Sequence, residues 1–187
     1  MTKKSKSTLI FKGQVYLSPE YSALMKEDLS LPQPDTTLRD LKDAFKHYWS
    51  TGYHPSLGKD AAYARPSEIL RLSVRHTHTD QGIYRDDKEY TSTKECWDAW
   101  KAGYGNTKPS SNACLIYVVN NQRDAMLTAF VDDDAHTITE RASYMDKIMQ
   151  RAYWFFEKTA SQAMPLEQHL FLFDERWSIA SSDDEKV

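Results

Sequence analysis

The chain has 187 residues, 40% hydrophobic and 12% aromatic, with five Trp and eleven Tyr. That is enough apolar material for one packed domain, and it excludes full disorder. The net charge of −3 excludes a broadly basic nucleic-acid binder, and no apolar run reaches the roughly 18 residues that suggest a membrane span.

The opening MTKKSKSTLIFKGQVYLSPE is basic. Its apolar run is too short and alternating for a signal peptide, so a cytoplasmic location is expected. STLIFKGQVYLS predicts a strand. A helix should follow, with Ser18 as its cap and Pro19 at its first position. After the break LPQPD, Leu38, Leu41, Phe45 and Trp49 recur at helical spacing, and Gly52 is a suitable stop. YHPSLGKDAAYARP reads as a loop with a short helical turn.

ILRLSVRHTHTD, residues 69–80, alternates like a strand. Leu70, Leu72, Val74, His76 and His78 fall on one face, and Ile69, Arg71, Ser73, Arg75, Thr77 and Thr79 on the other. The next thirty or so residues are polar, too long for a structureless loop. An insertion with local order is expected at about 82–110. Ser92 and Glu95 have capping-box spacing within it. ACLIYVVN and AMLTAFVD, joined by NQRD, predict a β-hairpin. A long helix should come after it, with Thr137 and Glu140 at capping-box spacing and Ile148, Ala152, Phe155 and Phe156 facing the core. One short strand and an acidic tail end the chain. Five of the 27 acids and two of the 24 bases lie from Asp174 onward, so the remainder is neutral. The element order predicts an α+β fold, an antiparallel sheet packed against helices.

Cys96 and Cys114 lack metal-site spacing and read as ordinary thiols. No cofactor is called for. Zinc held by His76 and His78 would need further ligands, and no metal is assigned.

The polar groups gather in three places: Arg75, His76 and His78 at a strand end; His136 and Arg141 after the hairpin; and Tyr144 in the following helix. Histidine exchanges protons near neutral pH. Arginine stabilises phosphorane charge, and tyrosine stacks on a base or donates to phosphate. Such a set suits metal-independent RNA cleavage by 2′-OH attack. His78 is the candidate base and His136 the candidate acid, with these roles exchangeable. Arg75 and Arg141 are the candidate charge stabilisers, although alternation sets Arg75 opposite the imidazoles unless a bulge re-aims it. His76 is a further catalytic candidate. Against this stands a structural reading, in which the histidines merely hydrogen-bond at the core margin. Trp97 and Trp100, with Tyr104, are either a base-stacking platform or a satellite core.

GYHPSLGKDAAYARP, VRHTH, SSNACLIYVV and DDDAHTITERASYMDKI, in this order and spacing, resemble the YafO toxins of bacterial type II toxin–antitoxin systems, within the RelE-like group. The resemblance spans about residues 38–157, roughly two-thirds of the chain. It implies a RelE-like microbial-RNase fold and a ribosome-dependent mRNA endonuclease, neutralised by a cognate antitoxin. The matching positions are Gly58, Asp60, Tyr63, His76, His78, Tyr117, His136, Arg141 and Met145. Gly58 and Met145 look architectural. Lys59, Tyr63, Tyr144, Trp97 and Trp100 are the expected substrate contacts. The implied organisation is one toxin domain over residues 1–173 with its insertion, then a flexible acidic tail over 174–187. The chain departs from the pattern in its length, its lack of basic excess and its Trp-rich insertion. A non-catalytic ribosome- or protein-binding module on the same fold, and a zinc-binding domain, are the alternatives.

Overall fold

The structure, a computed structural model, describes residues 9–27, 36–82, 84 and 91–179. The basic start and the last eight residues of the tail lie outside the described residues, as do position 83 and positions 85–90 of the insertion.

The first expected strand is two: β1 (Ile10–Phe11) and β2 (Val15–Leu17). The chain turns between them at Gly13, whose φ of 114° is open to glycine. Helix α1 (Pro19–Leu24) starts as expected, with Ser18 Oγ accepting from the Tyr21 amide at 3.1 Å. Helix α2 (Leu38–Thr51) begins with a Thr37–Asp40 capping box and stops at left-handed Gly52. Its buried positions include Leu38, Leu41, Phe45 and Trp49, as the spacing predicts.

The next segment departs from expectation. Part of the predicted loop is strand β3 (Leu57–Ala62), and Ser67–Arg71 forms helix α3. Strand β3 is an edge strand whose sequence, LGKDAA, lacks apolar alternation; pairing with its neighbour makes it a strand. The histidine strand β4 is correspondingly shorter, Val74–Thr79. Ile69 to Arg71 belong to α3, and Ser73, at a φ of 53°, turns the chain from one element into the other.

The insertion carries helix α4 (Thr91–Lys101), which already includes Ser92, so Ser92 is not its cap. The hairpin β5 (Cys114–Val119) and β6 (Ala125–Val131) forms as expected. The expected long helix is divided into α5 (Ala135–Thr139) and α6 (Ala142–Lys158). Thr137 lies inside α5 and donates to Asp134 at 2.7 Å rather than capping a box with Glu140. Ile148, Ala152, Phe155 and Phe156 are buried. Two 3₁₀ turns lead to β7 (Ser178–Ile179), which pairs with β1. Trp177 is buried in the core, so residues 174–179 are part of the fold and the tail starts later than position 174.

The fold is α+β. The main sheet has the order β2-β6-β5-β4-β3. It is not purely antiparallel, because β2 runs parallel to β6. One face carries α2, with Phe45, Trp49, Leu115, Tyr117 and Leu127 in its core. The other carries α3 and α6, with Ile69, Val74, Ile116, Val118, Ile148 and Phe155. A sheet covered on both faces needs apolar residues at every position of its central strands. All six residues of β5 are buried.

Candidate functional site at the end of a strand

Strand β4 divides its side chains between the two cores. Val74, His76 and His78 pair with Val118, Ile116 and Cys114, all on the α6 side. Arg75 and Thr77 pair with Tyr117 and Leu115, on the α2 side. The apolar stripe therefore becomes a pair of imidazoles where the strand leaves the α6 core. Their ring centres are 5.2 Å apart. Tyr63, just past the end of β3, lies 4.5 Å from the His76 ring. From the other side, α5 presents His136, 6.2 Å from His78. Three histidines from two distant segments thus form one row, from half-buried His76 through buried His78 to exposed His136.

Burial lowers the proton affinity of the inner pair. The His76 ring is pushed down to about 4 by burial, and then by its neighbour His78. Its Nδ1 is buried without a hydrogen-bond partner. Burial also lowers His78, while its bond with the Ser111 backbone opposes that shift. His78 Nδ1 lies 2.8 Å from the Ser111 carbonyl oxygen and 3.1 Å from the Ser111 amide nitrogen. One nitrogen cannot satisfy both groups. A protonated Nδ1 donates to the carbonyl and leaves the lone pair on Nε2, whereas an unprotonated Nδ1 accepts from the amide. Lys59 is exposed, and its positive charge further disfavours protonation of His78.

Phenols and a thiol line the margin. Tyr63 Oη is 3.8 Å from Cys114 Sγ. Burial pushes the Cys114 thiol up to about 11 and the Tyr144 phenol up to about 12, and it raises Tyr63 as well. These groups remain protonated donors at neutral pH. Arg141 is exposed at the start of α6, five positions beyond His136.

Three expected residues lie elsewhere. Arg75 is on the opposite face, where it is paired with Asp60, and no bulge turns it toward the imidazoles. Trp97 is fully buried and donates to the Ser110 carbonyl at 3.0 Å, so it has no open face on which a base can stack. Trp100 is half-buried, and its Nε1 donates to the Leu57 carbonyl at 2.9 Å. The tryptophans therefore form a satellite core that fastens the insertion to β3. Among the described residues, no group of three or more His, Cys, Asp or Glu is arranged to hold a metal ion.

Sequence reasoning missed Ser111 and gave Cys114 no place in the site. Ser111 sits in a polar stretch without periodicity, and its contact with His78 spans 33 positions. Cys114 was detectable only through strand register.

Fold and site together define an α+β protein with an imidazole cluster at a sheet end. Residues 46–157 match the family model described as Toxin YafO, type II toxin-antitoxin system. No curated protein and no solved structure matches the chain. The matched span exceeds half of the sequence and contains Tyr63, His76, His78, His136 and Arg141. The chain belongs to the YafO toxin family, and a type II toxin has an antitoxin as its partner. Among the described residues, no helix is long and apolar enough to cross a membrane.

Proposed function

We propose that this toxin is a RelE-like endoribonuclease that cleaves mRNA on the ribosome, arrests translation in the cytoplasm and is neutralised by its antitoxin. The observation that carries this reading is the 6.2 Å separation of the His78 and His136 rings, one buried and one exposed. An acid and a base in different environments suit general acid–base catalysis. His78 Nε2 takes the 2′-OH proton, and O2′ attacks the adjacent phosphorus. The P–O5′ bond breaks, and His136 protonates the departing O5′. The products are a 2′,3′-cyclic phosphate and a 5′-hydroxyl end.

The depressed proton affinity of His78 supports its role as base, because it is unprotonated at neutral pH. Lys59 and Arg141, both exposed near the row, neutralise charge on the phosphorane in place of Arg75. Tyr63 and Tyr144 contact the nucleotide as donors. The chain lacks basic excess, so the ribosome supplies most of the docking surface and presents the mRNA.

Mapping transcript 5′ ends after brief induction tests this reading. New 5′-hydroxyl ends within coding regions are expected, together with a fall in protein synthesis. Arrested growth with unchanged transcripts would favour a non-catalytic ribosome- or protein-binding module.

A further inference from the structure

The segment 109–113, which leads out of the insertion, has no ladder of its own, yet each of its five consecutive carbonyl groups faces a nitrogen of the elements that build the site. Pro109 accepts from the Lys59 amide at 2.7 Å, and Ser110 from the Trp97 indole at 3.0 Å. The Ser111 carbonyl oxygen lies 2.8 Å and its amide nitrogen 3.1 Å from His78 Nδ1. Asn112 accepts from the Ala135 amide at 3.0 Å, next to His136, and Ala113 from the Thr79 amide at 3.1 Å. These five carbonyl groups find their nitrogen partners in β3, β4, α4 and α5. The segment is therefore a strap that sets these four elements relative to one another.

Within the strap, Ser111 is the brace. Its hydroxyl is 2.7 Å from the Thr79 carbonyl and 2.8 Å from the Ala113 carbonyl, and it accepts from the Ala113 amide at 3.3 Å. These contacts fix the peptide whose carbonyl faces His78. The strap is held down from outside as well. Trp97 is buried beneath it. The Asp80 side chain, fully buried just past β4, faces the Lys101 ammonium of α4 and accepts from Tyr84 Oη at 2.6 Å.

We infer that the strap following the insertion is part of the catalytic apparatus: Ser111 is a positioning residue that holds His78 as the Nδ1–H tautomer, with Nε2 directed to the substrate. This rests on the nuclease reading above, but its direct readout does not. Ring nitrogen shifts in 15N NMR report the His78 tautomer in the purified toxin, and single-turnover cleavage of ribosome-bound mRNA reports the rate.

Ser111→Ala keeps the carbonyl and removes the brace. It should raise the Nε2–H fraction of His78 and slow cleavage by about tenfold or more with mRNA affinity unchanged. Ser111→Thr, which restores a hydroxyl, should recover both. Trp97→Phe keeps an aromatic ring and removes the donor to Ser110. It should shift His78 in the same direction, and it serves as the test should Ser111→Ala not fold. A folded variant with native His78 tautomer and native rate overturns the inference, as does a slower variant whose His78 tautomer is unchanged. A shifted tautomer in a protein whose native form cleaves no RNA would retain the positioning role and reject the nuclease reading.

Discussion

The Arg75 guanidinium grips Asp60 through two nitrogens, at 3.0 Å and 2.8 Å, on the face of β4 turned away from His76 and His78. Tyr48 Oη donates to the same carboxylate at 2.6 Å, Tyr117 Oη donates to it as well, and the Arg75 side chain is only 9% exposed. A buried ion pair of this kind resists the loss of one partner because the other charge is stranded. Arg75→Met should destabilise the protein by about 3–5 kcal/mol in denaturant unfolding. Adding Asp60→Asn should return part of that loss. A charge stabiliser of the reaction would behave differently, losing rate at native stability.

The imidazole row makes the opposite forecast. His136 is exposed. His136→Ala should change stability by no more than about 0.5 kcal/mol and lower cleavage by about 10²–10⁴-fold. His78→Ala should show a comparable loss of rate, with circular dichroism confirming the fold. Growth arrest on induction should disappear in both. Retained arrest in a folded double variant would remove both residues from the mechanism.

Acid should weaken the fold through His76. Its folded value, about 4, lies below the ordinary 6.5. The unfolded chain therefore binds the proton first as pH falls. The contribution is fully present above pH 6.5 and is lost progressively down to about pH 4. The loss by pH 4 is about 3 kcal/mol. His78 is lowered too and acts in the same sense. Urea unfolding from pH 7 to pH 4 should show a steeper decline in the native protein than in His76→Gln. Parallel declines would show that the His76 ring is not held neutral.

Gly58 lies directly beneath the strap. A Cβ there would collide with the Pro109 carbonyl oxygen and come within 3.0 Å of the Trp97 ring. Gly58→Ala should cost about 1–3 kcal/mol, as overpacking does, and should lift segment 109–113 from β3. Hydrogen exchange at the Lys59 amide, which donates to Pro109, should speed up measurably.

The helices and the hairpin were legible because each is decided locally. Ser18 with Pro19, the Leu38–Trp49 spacing, Gly52 and the two apolar runs around NQRD require only neighbouring residues to be read correctly. Strand β3 was not legible, since Lys59, Asp60 and Ala61 carry no alternation and become a strand by pairing with β4. The break between α5 and α6 was hidden as well, because both halves fit one helical period.

The candidate site divides along the same line. Alternation in VRHTH by itself determined that His76 and His78 share a face and that Arg75 does not, because side chains of a strand alternate. The residue type at position 136, after the hairpin, marked His136 as a partner of the right chemistry. Only the tertiary structure decided that α5 brings His136 to His78, that Asp60 and two tyrosines claim Arg75, and that the Ser111 backbone meets His78. Those are contacts between residues 12 to 58 positions apart, fixed by strand register and by the strap's need to satisfy its own carbonyl groups, and neither leaves a periodic trace in the sequence.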